Sequence, residues 1–320
     1  MTTVQQKVTT AFPDLACKFD EPLAPYTYMK IGGPAEVLVT IKDLQTISAF
    51  IAFCREESIP FRILGGASNV LVSDEGIQGV VIFMAIDTFE SLEKTEGEYH
   101  FVRAGAGIKM APLVAKTVSL GLTGLEYFLG VPGTLGGALY NNAHYLTDLI
   151  GEHVHAVQVL THDGSLATIP VEECEFAYEQ SRFQNTDEVI VSAESKLKKG
   201  DALESQNLIA HAPQYRANTQ PLGVPSSGCI FQNVPNTPEL KKTFPKFADK
   251  PFVPGGYIID QAGLKGAKVG AISVSQKHAA WFENTGKGTC ADVKALIKKV
   301  KDTVQSQFDV ELHEEVFYIE

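Results

Sequence analysis

The stretch Gly130-Val-Pro-Gly-Thr-Leu-Gly-Gly-Ala-Leu-Tyr-Asn-Asn-Ala-His-Tyr145 limits what this chain can fold into more than any other. Four glycines and a proline fall within residues 130–137, directly after the apolar run 125–129. Each glycine inside a helix or strand costs about 0.5–1 kcal/mol relative to alanine, so this density predicts a loop and no stable element interior. Glycine at such spacing lets backbone N–H groups come close to a ligand, and bare N–H groups suit a phosphate or a flat polar ring. A second loop of the same character, Leu64-Gly-Gly-Ala-Ser-Asn-Val-Leu-Val72, lies upstream. One such loop is an ordinary tight turn. Two of them, each bounded by apolar runs, predict a cradle for one large cofactor.

The remaining composition narrows the class. At 320 residues the chain is long enough for two or more domains. Lys plus Arg number 27 against 38 Asp plus Glu, a formal net charge of −11. That balance argues against nucleic acid or an anionic membrane as the main partner, and leaves room for a local basic pocket. The cysteines, at 17, 54, 174, 229 and 290, are odd in number and form no C-x-x-C pair. Neither a zinc site nor a disulfide framework is expected, no metal is assigned, and a reducing cytoplasm is the simplest compartment. The first residues lack the apolar core of a signal peptide, and no stretch approaches the roughly 20 apolar residues of a membrane span.

In order, residues 1–25 read as a short leader. A strand over 37–41 precedes a helix from an Asp43 cap to about 58, with Leu44, Ile47, Phe50, Ile51 and Cys54 on one face. Strands at 61–64, 70–72 and 79–83 complete a small unit that puts 65–69 at a strand end, where α/β folds tend to bind ligands. Strands at 88–94 and 99–104 follow, then a helix with Met110, Leu113, Val114 and Val118 inward that stops at Gly121. Gly105-Ala-Gly107 lacks the third glycine of a dinucleotide fingerprint. A hairpin over 154–161 and 166–170 and a strand at 189–197 close the first domain near residue 200. Beyond it come a loop and strand over 219–233, a short helix within 254–266, a helix from the capping box Thr289-Cys-Ala-Asp292, and a last strand over 310–319.

Several of these stretches, in this order, resemble the bacterial UDP-N-acetylenolpyruvoylglucosamine reductases, flavoenzymes that complete UDP-N-acetylmuramate for peptidoglycan. They are Lys30-Ile-Gly-Gly-Pro-Ala-Glu36, Gly65-Gly-Ala-Ser-Asn-Val-Leu71, Gly121-Leu-Thr-Gly-Leu-Glu126, Gly130-Val-Pro-Gly-Thr-Leu-Gly-Gly137, Pro225-Ser-Ser-Gly-Cys-Ile-Phe-Gln-Asn233, Asp260-Gln-Ala-Gly-Leu-Lys-Gly266, Val274-Ser-Gln-Lys-His278 and Leu312-His-Glu-Glu-Val316. The resemblance implies an α+β fold. A two-subdomain FAD-binding domain of the vanillyl-alcohol-oxidase type (26–200, divided near 84) would be followed by an α+β substrate-binding domain (201–320). The short interval from Ser181 to Cys229 resembles the subtype without the substrate-capping insertion. The implied cofactors are FAD and NADPH, the implied substrate is a UDP-sugar, and no obligatory protein partner is inferred. NADPH gives a hydride to FAD, which passes it to the enolpyruvyl β-carbon while an acid protonates the α-carbon.

Residue by residue, the resemblance makes Cys229 the proton donor and Glu315 the acid that polarises the substrate carboxylate. Backbone of Gly65, Gly66, Ala67, Ser68 and Asn69 would hold the FAD pyrophosphate, with Val131, Pro132, Gly133, Gly136, Gly137, Asn141 and Ala143 along the flavin and phosphates. Asn233 and Lys265 would meet the substrate diphosphate and Gln261 the enolpyruvyl sugar. Arg216 reads first as a surface residue, with contact to the same diphosphate as its alternative, and His278 and Trp281 as packing or lining residues. Two positions depart from the family pattern. Where it has an arginine after a tyrosine, this chain has Tyr178-Glu179; where a glycine follows Asn-Ala, it has His144. If 179–182 forms a helical turn, Arg182 shares a face with position 179 and supplies the missing cation. If the segment is extended, the two face opposite ways. His144 either packs on the flavin edge, through a covalent link in one version, or shifts the loop. A flavin oxidase acting on an alcohol, or a binding protein that has lost catalysis, are the competing readings.

Overall fold

A computed structural model describes residues 1–145, 148–221 and 223–320, with side chains at all of these but 202 and 211–216. The chain forms two compact units, each drawn from separated segments. The first comprises Met1–Glu21, Glu36–Gly66 and Gln78–Arg216; the second comprises Pro22–Ala35, Ala67–Ile77 and Ala217–Glu320. This differs from a contiguous division near residue 200. Residues 67–77 belong with the C-terminal segment for a simple reason: Val70–Val72 pairs in parallel with the last strand, Phe317–Ile319. Nor are residues 1–25 a mere leader. The helix Thr3–Ala11 is closed by a Thr2/Gln5 capping box and buries Val8, while Cys17–Pro22 is an edge strand of a four-stranded sheet.

In the first unit that sheet runs Cys17–Pro22, Pro34–Ile41, Ile77–Met84, Phe61–Leu64, the last two strands parallel. The helix Leu44–Glu56 lies between the strands Pro34–Ile41 and Phe61–Leu64 in sequence. Asp43 accepts from the Thr46 N–H at its start, and Ile47, Phe50, Ile51 and Cys54 are buried at helical spacing. Leu44, expected on that face, is 39% exposed. It stands in the first turn, where the helix has only begun to meet the sheet. A second sheet has six strands, ordered Leu166–Pro170, Val154–Leu160, Val189–Lys199, Tyr99–Gly105, Phe89–Glu96, with Leu122–Thr123 pairing off Val189–Lys199. One apolar core, including Phe50, Val80, Val102, Leu113 and Val157, fills this unit.

The helix Ala202–Thr219 has no counterpart among the sequence expectations, because its residues form no apolar stripe and include a proline. Its start is anchored instead by polar contacts. Asp201 accepts from the N–H groups of Leu203 and Glu204, and the Ser205 hydroxyl donates to buried Glu126. Burial alone would raise the Glu126 carboxyl, but donation from Ser205 and the Gly124 N–H outweighs it and holds the group below its ordinary value. The sign follows: a depressed carboxyl stabilises the fold above the usual glutamate range and loses that contribution as pH falls through the folded value. Glu126→Gln is therefore expected to cost about 1.5–3 kcal/mol near neutral pH, the worth of charged hydrogen bonds. In thermal melts the gap to the parent should narrow below about pH 4, and a gap constant with pH would contradict this assignment.

The second unit is built on the helix Cys290–Phe308, which buries Val293, Leu296, Ile297, Val300 and Val304. The expected Thr289/Asp292 capping box is present. Asp74 adds a cap that sequence patterns did not reveal, accepting from the N–H groups of Cys290 at 2.7 Å and Ala291 at 2.9 Å. Three short antiparallel strands, Lys268–Val269, Ile272–Val274 and Phe282–Asn284, pack with it around Phe231, Ile258 and Val300. The last strand is shorter than the expected 310–319, since its parallel partner offers only Val70–Val72 to pair with. Among the described residues, no helix is long and apolar enough to cross a membrane.

Candidate active site

In the first unit, the strand Phe61–Leu64 delivers Gly65 and Gly66 directly onto the second glycine loop. A Cβ at Gly66 would lie 2.4 Å from Gly133 Cα, and one at Gly65 would lie 2.3 Å from Thr134 Oγ1. The two loops thus form one structure, and the lack of side chains is what lets them touch. Residues 135–140, expected as loop, form a six-residue helix, Leu135–Tyr140. Its glycines are tolerated because Gly136 packs on Ala106, whose carbonyl takes the Gly136 N–H at 2.8 Å. That N–H is therefore committed to the fold. Val131 and Gly133 are half-buried and Pro132 and Gly137 exposed. The loop also holds two buried polar atoms without a hydrogen-bond partner among the described residues, Thr134 Oγ1 and Asn141 Oδ1. Orphaned polar atoms are costly inside a protein, so a polar group bound along this loop fits the residues present.

The segment after Asn141 is braced from residues 177–184. Asn142 donates to the Ala177 carbonyl and accepts from the Gly151 N–H; Ser181 donates to the Tyr140 carbonyl, as does Gln184. Ala143 donates its N–H to Ala138 and accepts from Ile150. Within this frame Glu179 is buried with a left-handed backbone, φ 54°. One carboxylate oxygen accepts from the Asn141 amide; the other lies 2.6 Å from His144 Nδ1.

The helical turn that would bring 179 and 182 onto one face is absent. Residues 177 and 180 close a tight turn through paired backbone bonds, Ser181 is extended, and a 3-10 turn begins only at Arg182. The Arg182 guanidinium forks onto Glu188, Nε at 3.0 Å and Nη2 at 2.9 Å, and Nη1 donates to the Glu173 carbonyl. It anchors this segment and does not point its charge beside Glu179's carboxylate.

The second unit collects residues far apart in sequence. Ala67 has a left-handed backbone and its carbonyl accepts from the Tyr28 N–H; Ser68 follows it into Asn69. Asn69 donates its side-chain amide to the Glu315 carbonyl at 3.0 Å, and its own carbonyl accepts from the Phe317 N–H. Glu315 donates its N–H to the Ile230 carbonyl at 2.8 Å, while the Ile230 N–H donates to Ala280. Cys229 forms a bridge with Trp281, and Phe231 with Glu314. Residues 229–231 are thus held on both sides, by 280–281 and by 314–315, which places Cys229 and Glu315 on adjacent extended segments. The other cysteines behave as packing groups: burial pushes the thiols of Cys54 and Cys174 up to about 12 and raises those of Cys17 and Cys290.

Asn233 Oδ1 accepts from the Gly255 N–H and so steadies the helix Gly255–Gln261, at whose end Gln261 is exposed. Lys265 Nζ pairs with Asp260 at 2.7 Å. His278 and Trp281 each carry a buried ring nitrogen without a hydrogen-bond partner among the described residues, Nδ1 and Nε1. Burial, and then the charge of Lys265, push the His278 imidazole below its ordinary value. Sequence alone gave these rings only a lining role. The Arg216 side chain lies outside the described residues.

Residues 35–169 match an FAD-binding domain, and residues 220–319 match the C-terminal domain of UDP-N-acetylenolpyruvoylglucosamine reductases. The chain is therefore an FAD-dependent oxidoreductase in build. A UDP-N-acetylenolpyruvoylglucosamine reductase of Streptococcus agalactiae is 35% identical over 302 residues, 94% of either chain. One from Bacillus cereus is 34% identical over 298 residues, 93% of this chain and 92% of the relative. The crystal structure of the corresponding reductase from Thermus caldophilus superposes with a TM-score of 0.74 at 29% identity, covering 96% of this chain and 99% of that one. The chain belongs to the UDP-N-acetylenolpyruvoylglucosamine reductase family.

Proposed function

We propose that this enzyme reduces UDP-N-acetylglucosamine enolpyruvate to UDP-N-acetylmuramate in the cytoplasm, with NADPH as reductant. The observation that carries the reading, beyond family membership, is the Asn69–Glu315–Ile230 network that holds Cys229 and Glu315 on neighbouring segments. FAD, when bound, supplies the hydride chemistry that links NADPH to the enolpyruvyl β-carbon. The chain's own residues do the rest. Cys229 gives a proton to the α-carbon, since a thiol, with a reference pKa of about 8.5, donates far more readily than a hydroxyl. Glu315 holds the substrate carboxylate through a hydrogen bond, which suits a carboxyl in its protonated form. Gly65, Gly66, Ala67, Ser68 and Asn69, with Val131, Pro132, Gly133, Gly136, Gly137, Asn141 and Ala143, hold the cofactor. Lys265 and Asn233 meet the diphosphate and Gln261 the sugar. Arg182 enters as a positioning residue, its fork on Glu188 fixing the turn that carries Glu179.

Purified protein should be yellow, bleach with NADPH in the absence of oxygen, and regain its colour when the enolpyruvyl UDP-sugar is added. Bleaching without recovery would overturn the substrate assignment, and recovery only with oxygen would favour an oxidase.

A further inference from the structure

The two departures from the family pattern, His144 and Glu179, are far apart in sequence and in direct contact in the fold, with His144 Nδ1 2.6 Å from Glu179 Oε1. The Glu179 side chain is only 2% exposed and the His144 ring 24%. A buried carboxylate without partners costs several kcal/mol, and here the described partners are the His144 imidazole and the Asn141 amide. The left-handed backbone at Glu179, unusual for a residue with a Cβ, shows that the surrounding contacts impose this placement. His144 is set in place from both sides. Its ring lies tilted on Tyr178, centroids 5.2 Å apart, and its backbone pairs with Leu149. With Nδ1 engaged by Glu179, the ring's remaining polar atom is Nε2, which has no hydrogen-bond partner among the described residues.

We infer that Glu179 and His144 form one working unit, in which buried Glu179 positions the ring and His144 Nε2–H meets the carboxylate of the bound enolpyruvyl substrate. The inference rests on the function proposed above. A carboxylate that accepts from Nδ1–H fixes the ring's tautomer and orientation, as in other carboxylate–histidine pairs. With hydrogen on Nε2 the ring can make a charge-assisted hydrogen bond to an anion, about twice as strong as a neutral one. Among the described residues, the groups around the ring are few. Glu179 and Tyr178 touch it, and across the short ladder Asp148 is taken by His153, with Glu152 beside them. Arg182, the nearest candidate cation by sequence, is held by Glu188.

The test uses the FAD-loaded enzyme and its variants His144→Gln and Glu179→Gln. Three quantities are read: the rate of bleaching by NADPH, the rate of colour recovery with the enolpyruvyl UDP-sugar, and the affinity of that sugar nucleotide for the unbleached enzyme. Both variants should slow recovery about 10–1000-fold, the scale for losing one positioned donor, with bleaching unchanged. Both should also weaken that binding. Glu179→Gln should in addition shift the ring ¹⁵N resonances of the histidine that is missing from spectra of His144→Gln. The exchange His144→Gly with Glu179→Arg should recover more activity than Glu179→Arg alone. If His144→Gln recovers colour at the parent rate, or if bleaching and recovery slow equally, the pair is a structural brace and the inference fails. If the parent enzyme itself never recovers colour with this substrate, the functional reading fails first.

Discussion

Replacing Cys229 by alanine is expected to slow substrate-driven recovery of flavin colour about 10²–10⁴-fold, the range for losing a positioned general acid, while bleaching by NADPH proceeds at the parent rate. The fold should tolerate the change, because residues 229–231 are held by backbone bonds, Ile230 to Ala280 and Glu315 to Ile230. Cys229→Ser should fall between the two, since a hydroxyl can donate but gives up its proton less readily than a thiol. Stopped-flow traces of the two half-reactions separate these outcomes. An alanine variant that recovers colour as fast as the parent would move the proton donor elsewhere.

Gly66→Ala is the second large effect. The added methyl would meet Gly133 Cα at 2.4 Å, a backbone atom that cannot rotate away. One loop must therefore shift against the other, at a cost of about 1–3 kcal/mol for overpacking. Because Thr134 and Asn141 hang from the same loop, the shift should also release cofactor, seen as a lower ratio of visible to protein absorbance. Gly286→Ala is the control, since it lies outside both glycine loops and a Cβ there finds its nearest neighbour at 3.6 Å. Equal flavin content in Gly66→Ala and the parent would show that the contact between the loops does not serve the cofactor.

The elements legible in the sequence were those whose burial is written in local periodicity. Ile47, Phe50, Ile51 and Cys54, or Val293 through Val304, recur at helical spacing behind a capping residue, and both helices form as expected. The helix Ala202–Thr219 has no such stripe, and polar anchors such as Ser205 on Glu126 are invisible without the fold. The glycine loops were legible as a pair, though part of their glycine content serves packing: Gly136 sits within a helix against Ala106. Family motifs pointed to Cys229 and Glu315, but not to the backbone network through Ile230 that joins their segments. The pairing of His144 with Glu179 lay beyond sequence reasoning, because each departure is local and their contact depends on the turn at 177–180. The same turn explains why Arg182 faces Glu188.

The most direct measurement is a single turnover, with enzyme bleached by one equivalent of NADPH and mixed anaerobically with the enolpyruvyl UDP-sugar, following flavin absorbance and UDP-N-acetylmuramate together. The account predicts that colour and product rise with one rate constant in the parent enzyme, and that both are slowed together in Cys229→Ala. Colour returning without product, or product forming at the parent rate without the Cys229 thiol, would contradict it.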